Sequence, residues 1–475
     1  MNVKKVRLLR LTIDHFKNVD YGTIEFAASK PFFVNPVDSE FNPDVIGLYG
    51  QNGTGKTTVI QAVSLFQSLA SKATMPEHAF ECISAWSDQA TLSIELGIWT
   101  ETSVVWVDLD LVMTRQTGVN AAFLAKESIA YKIFDVKTNM WSAKVDALTL
   151  DYATTDLAGF IRPKTRMTTL KQAKKDNLIQ WNVRKQLAIA GRTSALFDER
   201  FLGLLDDARE PVFQTTALLL RAITTYATRN LMILHNRDLT QIAAKDELPL
   251  RVWMEDDAGM LFQGSGHLNL SGPSPYNPVA FQSLRRMIDH VNLLMPSFVP
   301  GMKLEIVVLG EELTKSGEKQ SLVEIVTLLR DTKIPLRYES EGIKKMISIN
   351  SALIAVYNDP SFCLFIDELD ASVFEYLFGQ LIKILGEGAK GQLFFTSHNL
   401  RPLELLPYED IYLSTANPAN RYIKLKNVKT TNNVRDFYLR GLQVGGQDEP
   451  IYKPTSSDQI RRAFRAAGDV NRHGR

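Results

Sequence analysis

Residues 50–57 read Gly-Gln-Asn-Gly-Thr-Gly-Lys-Thr, and no other segment restricts the architecture of the chain as much. Before it comes Asp44-Val-Ile-Gly-Leu-Tyr49, apolar enough for a buried strand. After it comes Thr58-Val-Ile-Gln-Ala-Val-Ser-Leu-Phe66, apolar at helical spacing. A strand, a glycine-rich turn and a helix start are the context in which such a loop cradles phosphate. Gly50, Gly53 and Gly55 let backbone N–H groups converge on phosphate oxygens, and the helix N-terminus adds partial positive charge. Lys56 is expected at the β- and γ-phosphates and Thr57 at a Mg2+ ion, with Asn52 and Thr58 completing the nucleotide-binding set. ATP and Mg2+ are the cofactors this pattern implies.

A phosphate loop does not by itself select a class of nucleotide hydrolase. Phe362-Cys-Leu-Phe-Ile366 is a short apolar run suited to a central parallel strand, and it ends in Asp367-Glu368. Asp367 is the candidate second Mg2+ ligand. Glu368 is the candidate general base for an attacking water. Gly391-Gln-Leu-Phe-Phe-Thr-Ser-His398 repeats the design, an apolar strand ending in a histidine that can sense the γ-phosphate. Between loop and Asp-Glu pair lies Tyr338-Glu-Ser-Glu-Gly-Ile-Lys-Lys-Met346, followed by the apolar helix Ile347–Val356. Ser340 is a natural N-cap there, and Ser340 with Gly342 can bind the γ-phosphate of another nucleotide.

Phosphate loop, Ser-x-Gly, Asp-Glu strand and histidine occur in an order that resembles the ABC/SMC class of ATPases, including RecF-like and OLD-like proteins. The opening Leu8-Leu-Arg-Leu-Thr-Ile-Asp-His-Phe-Lys-Asn-Val19 resembles the first strand of that class. Glu339-Ser-Glu-Gly-Ile-Lys-Lys345 and Ile366-Asp-Glu-Leu-Asp-Ala-Ser372 look closer to stand-alone ATPases of prokaryotic defence loci, of the PARIS, Septu and RloA/AbiL type. The match covers residues 1–100 and 325–415. It implies that Asp370 lies in a loop facing a partner protomer and that Gln89 senses Mg2+. Two departures stand out. The transporter Leu-Ser-Gly-Gly-Gln signature is absent, and Ser372-Val-Phe-Glu stands where subgroup members often carry a histidine.

The expected fold class is α/β, an ABC-type phosphate-loop head with an antiparallel β extension and an inserted helical lid. Lobe 1 is expected over 1–145, a mainly helical insertion over 146–300, lobe 2 over 301–440 and a tail over 441–475. Val104–Val112 and Ala130–Phe134 read as strands of the extension. Residues 263–277 read as a loop, and Phe281–Leu294 as a helix ended by Pro296. Lys303–Leu309 and Ser321–Leu328 read as a hairpin. Heptads are absent, so a long coiled coil is not expected. Arg461–Arg465 reads as a short helix in a tail for which disorder, a partner contact and an oligomer contact all fit.

Over 475 residues the formal net charge is +1, so nucleic acid could be bound only through a local patch. Arg162, Lys164, Arg166, Lys171, Lys174, Lys175, Arg184 and Lys185, with Trp181, form the one cluster. It fits a nucleic-acid surface, a solvated helix face or a dock for an acidic partner. Cys82 and Cys363 are far apart with no metal spacing, and no leader or membrane span is read, so a cytoplasmic protein is expected.

Two functions compete. One is an ATP-driven sensor in antiviral defence, in which two heads sandwich ATP as a homodimer or part of a higher oligomer and control a separately encoded effector. The stretch after His398 is short for the Toprim nuclease domain that OLD proteins carry, which points to that separate effector. The other is a RecF/SMC-like repair or maintenance ATPase that clamps DNA. A transport subunit and a non-hydrolysing scaffold are lesser readings.

Overall fold

The computed structural model describes residues 3–26, 32, 36, 44–115, 121–154, 160–163, 175–208, 210–236, 247–255, 261–314, 317–371, 373–426, 433–445, 447–453 and 456–470. In chain order the elements begin β1 (Val3–Phe16), β2 (Val19–Glu25), β3 (Asp44–Tyr49), α1 (Lys56–Ala70), β4 (Gln89–Thr100), β5 (Ser103–Arg115), β6 (Ala122–Asp135), β7 (Met140–Trp141), β8 (Val145–Asp151) and β9 (Ile161–Arg162). Three helices follow, α2 (Lys175–Gly191), α3 (Glu199–Asp207) and α4 (Pro211–Thr225). Next come β10 (Leu231–Leu234), β11 (Glu247–Glu255), β12 (Leu261–Asn269), β13 (Ser274–Tyr276) and α5 (Pro278–Phe298). The chain continues with β14 (Lys303–Leu313), β15 (Lys319–Leu329), β16 (Thr332–Pro335), α6 (Glu341–Asn358), β17 (Cys363–Ile366), α7 (Glu375–Gly388) and β18 (Gln392–Thr396). It closes with β19 (Ile411–Ser414), β20 (Tyr422–Lys424), α8 (Val434–Val444) and α9 (Ser457–Val470).

Two sheets organise this mixed α/β fold. One is antiparallel, in the order β2-β1-β4-β5-β6-β8-β9 with β7 on β6. The other runs β10-β17-β18-β3-β19-β20 and is parallel except for β20. Its middle strands β3, β17 and β18 are buried at every position, because each face is covered. The two-residue period of a strand divides their side chains. Ile46, Leu48, Cys363, Phe365 and Phe394 enter a core shared with α1 and the antiparallel sheet. Val45, Tyr49, Leu364, Ile366, Leu393 and Phe395 enter a second core with α5, α6 and α7.

Several expectations change. The interval 146–300, expected to be mainly helical, contains α2 to α5 and also the strands β9 to β13. Leu231–Leu234 joins the parallel sheet beside β17, a distinction that periodicity cannot make for so short an apolar run. Residues 263–277 are largely strand. Gly264 pairs with Val252 and Gly266 with Leu250, since ladder bonds use the backbone whatever the side chains are. α2, α3 and α4, expected as an inserted helical lid, bury Trp181, Phe201 and Phe213 in the same core as the antiparallel sheet. Pro296 does not end α5, which runs on to Phe298. Both cysteines are buried and free. No described helix is long and apolar enough to cross a membrane.

Candidate functional site

β3, β17, β18 and β10 point the same way, so their C-terminal ends share one edge of the sheet. The phosphate loop leaves β3 there. Gly50, Gly53 and Gly55 have φ of 152°, 79° and 88°. A Cβ on Gly50 would lie 2.0 Å from Ser414 Oγ. Three other elements hold the loop: Asn18 Nδ2 donates to Gly53 O at 2.5 Å, Tyr422 OH to Gly55 O at 2.7 Å, and Thr54 Oγ1 meets Ser414 Oγ at 2.5 Å. α1 begins at Lys56 with no side-chain cap, which leaves its first N–H groups for a ligand. Lys56 Nζ donates to Gly50 O at 2.8 Å and to Gln51 O at 3.3 Å. Burial lowers the pKa of this lysine, while Asp367, Glu368 and Asp370 act in the opposite direction.

The end of β17 supplies the carboxylates. Thr396 Oγ1, at the end of β18, donates to Asp367 Oδ1 at 2.6 Å and accepts the Glu368 N–H at 2.8 Å. Glu368 has φ of 51°, a left-handed conformation rare outside glycine and frequent at functional sites. Asn236 Nδ2 donates to Glu368 Oε2 at 2.5 Å. Lys345 Nζ, on α6, lies 3.5 Å from the Glu368 carbonyl, and burial lowers its pKa. Asp370 Oδ2 accepts the N–H groups of His398 and Asn399 at 3.1 and 3.0 Å, so its carboxylate braces the histidine turn of its own chain.

One cavity of about 730 Å³ is lined by Asn52, Gly53, Gly55, Lys56, Thr57, Thr58, Asp367, Glu368 and His398. Lys17, Asn18 and Gln61 also line it. A smaller cavity of about 320 Å³ shares Lys17, Thr57, Gln61 and Asp367 and extends to His78, Glu81 and His235. Gln89 is not in the cleft. It sits exposed at the start of β4, paired with Thr114, and lines a different cavity with Arg115 and Arg192, so the antiparallel register carries it away from Thr57. Ser340 caps α6, accepting the Ile343 N–H at 3.3 Å. Ser340 and Gly342 lie outside the cleft of their own chain.

Asn18, Asn236, Thr396 and Lys345 were not identified from sequence. Thr396 and Asn236 each follow a short apolar run, and Asn18 closes the Phe16-Lys-Asn18 segment, which are the local signals that mark them. Within the basic cluster, Lys185 is buried, donates to Thr154 O and lies 4.9 Å from the Phe160 ring centre. Trp181 is fully buried against Phe201 and offers no stacking surface. Lys164, Arg166, Lys171 and Lys174 lie outside the described residues.

The residues fit both implied cofactors. Uncapped N–H groups and a desolvated ammonium suit a polyphosphate. Thr57 and Asp367 offer oxygen donors at one wall, and Mg2+ takes few protein ligands, the rest being water and phosphate.

No protein-family model matches this chain, and no curated protein matches it. Among solved structures it is similar to the Smc head domain with a coiled coil and joint from Pyrococcus yayanosii. That comparison has a TM-score of 0.42 and 10% identity, over 92% of this chain and 100% of that one. The SMC head domain from Thermotoga maritima has a TM-score of 0.33 and 12% identity, over 88% and 99%. The recombination mediator protein RecF has a TM-score of 0.36 and 11% identity, over 89% and 99%. At these scores the functional assignment rests on the chain's own site.

Proposed function

We propose that this chain binds Mg2+-ATP and hydrolyses it to ADP and phosphate, as an ABC/SMC-like switch. The observation that carries this is the single cleft in which the ends of three parallel strands bring Lys56 and Thr57 against Asp367, Glu368 and His398. Bound ATP supplies the phosphoanhydride to be cleaved. The loop N–H groups and Lys56 hold the phosphates, and Thr57 and Asp367 hold Mg2+. Glu368 takes a proton from the attacking water, and His398 contacts the γ-phosphate. Ser340, exposed, and Gly342, half-buried, on a separate helix start act on the nucleotide of a second copy, so that ATP joins two heads.

The partner in this reading is a separately encoded effector in antiviral defence, a setting supported by the sequence resemblance of Glu339–Lys345 and Ile366–Ser372 to defence ATPases. A protein effector is favoured over a DNA clamp because Arg184 and Lys185 of the basic cluster are engaged within the fold, while the Arg162 side chain stays 60% exposed. Arg162 lies 3.8 Å from Asp151, Arg184 lies 3.9 Å from Asp198, and Lys185 is buried.

The test is ATP binding and phosphate release by the purified chain. Lys56→Ala is expected to abolish binding. Glu368→Gln is expected to keep binding while lowering turnover by about 100-fold or more. Unchanged turnover in Glu368→Gln would refute the general-base role of Glu368, and absence of phosphate release by the unaltered chain would refute hydrolysis. Salt-sensitive DNA binding with no protein partner would instead support the clamp.

A further inference from the structure

β10 and β17 run in parallel register, Leu231 with Cys363 through Leu234 with Ile366. The Asp367 N–H still donates to Leu234 O at 3.0 Å, so the two chains remain side by side beyond the strand ends. Two residues past each last pair stand Asn236 and Glu368, and the Asn236 amide meets Glu368 Oε2 at 2.5 Å. Among the described residues this is the one hydrogen bond to that carboxylate. The Glu368 backbone is already set by Thr396 at its N–H and by a left-handed φ. Its side chain has several torsions beyond that point, and the amide restrains them.

We propose that Asn236 is a positioning residue for Glu368, an inference that rests on the hydrolytic role proposed for that carboxylate. Holding Oε2 leaves Oε1 to face the cleft and a water beside the γ-phosphate. A neutral amide suits this task. It donates to a carboxylate without adding a charge that would make it a poorer proton acceptor. Small displacements of a reacting group are costly in rate, so a loose Glu368 is slow although it is present.

The test uses the full chain, Asn236→Ala and Asn236→Asp, each also combined with Glu368→Gln. The aspartate variant keeps the volume and removes the donor, so it serves if the alanine variant folds poorly. The readouts are kcat, KM for ATP, directly measured ATP affinity and thermal melting. Either single variant is expected to lower kcat by about 10- to 100-fold, with ATP affinity and KM within about threefold. In the Glu368→Gln background the second change is expected to lower the residual rate no further. A kcat within about twofold of the unaltered chain would overturn the inference. So would a loss of kcat matched by lost ATP affinity and stability, or one that persists in full in the Glu368→Gln background. Absence of hydrolysis by the unaltered chain would remove the proposed function and this inference together, whereas hydrolysis indifferent to Asn236 removes only the latter.

Discussion

Thr396 links both acidic residues of the site through one hydroxyl, which donates to Asp367 and accepts from the main chain of Glu368. Thr396→Val keeps the shape and removes both bonds. It is expected to cost about 1–3 kcal/mol, because the side chain is fully buried and the groups it served lose their partner. It is also expected to raise the Mg2+ concentration needed for half-maximal hydrolysis, as seen in a metal titration. Gly50 is a second sensitive residue. Its φ of 152° disfavours any side chain, and a Cβ would clash with Ser414. Gly50→Ala is therefore expected to weaken ATP binding, measured by calorimetry, more than a substitution at Gly53, where a Cβ would meet nothing within 4 Å. The two glycines look alike in the motif, and only their surroundings separate them.

At the scale of elements, the two sheets meet through a buried polar cluster. Arg7 of β1 reaches Asp44 at 3.3 Å and Lys390 O at 2.7 Å. Gln392 at the start of β18 donates to Asp44 and to Leu8 O, both at 2.8 Å, and accepts the Leu8 N–H. Removing one charge leaves the other buried. Asp44→Ala is expected to destabilise the chain by about 3–5 kcal/mol in chemical denaturation, and Asp44→Ala with Arg7→Met by less. Asp410, just before β19, makes a pH prediction. Burial, then the charge of Asp44, pushes its pKa from 3.8 up to about 7, with Lys424 opposing. The folded chain thus holds this proton more tightly than the unfolded chain. The associated stability is present below pH 3.8 and is lost as pH rises towards 7. Asp410→Asn is expected to flatten that part of the Tm–pH curve, and an unchanged slope would rule the effect out. Elements also account for most misreadings. β10 was hidden in a helical neighbourhood, and β12 in a glycine-rich segment that composition reads as loop.

For the whole molecule, the proposed pairing of heads gives a direct test. Glu368→Gln with ATP and Mg2+ is expected to sediment as a dimer or larger, and Ser340→Arg to prevent that association while the single head still binds ATP through its own phosphate loop. Loss of the Ser340 cap itself is expected to cost only about 1 kcal/mol, so a folding defect is separable by melting. The chain's own sequence determined the phosphate loop, the strands Asp44–Tyr49, Cys363–Ile366 and Gln392–Thr396, and the helix start at Ser340. These follow from local rules, since apolar runs, glycines and caps act within a few residues. Tertiary structure alone decided that Gln89 lies away from the cleft, that Lys185 and Trp181 are interior, and that Asn18, Asn236 and Lys345 converge on the loop and on Glu368. Those outcomes depend on sheet order and register between segments far apart in the chain, and no local pattern encodes which strand becomes the neighbour of another.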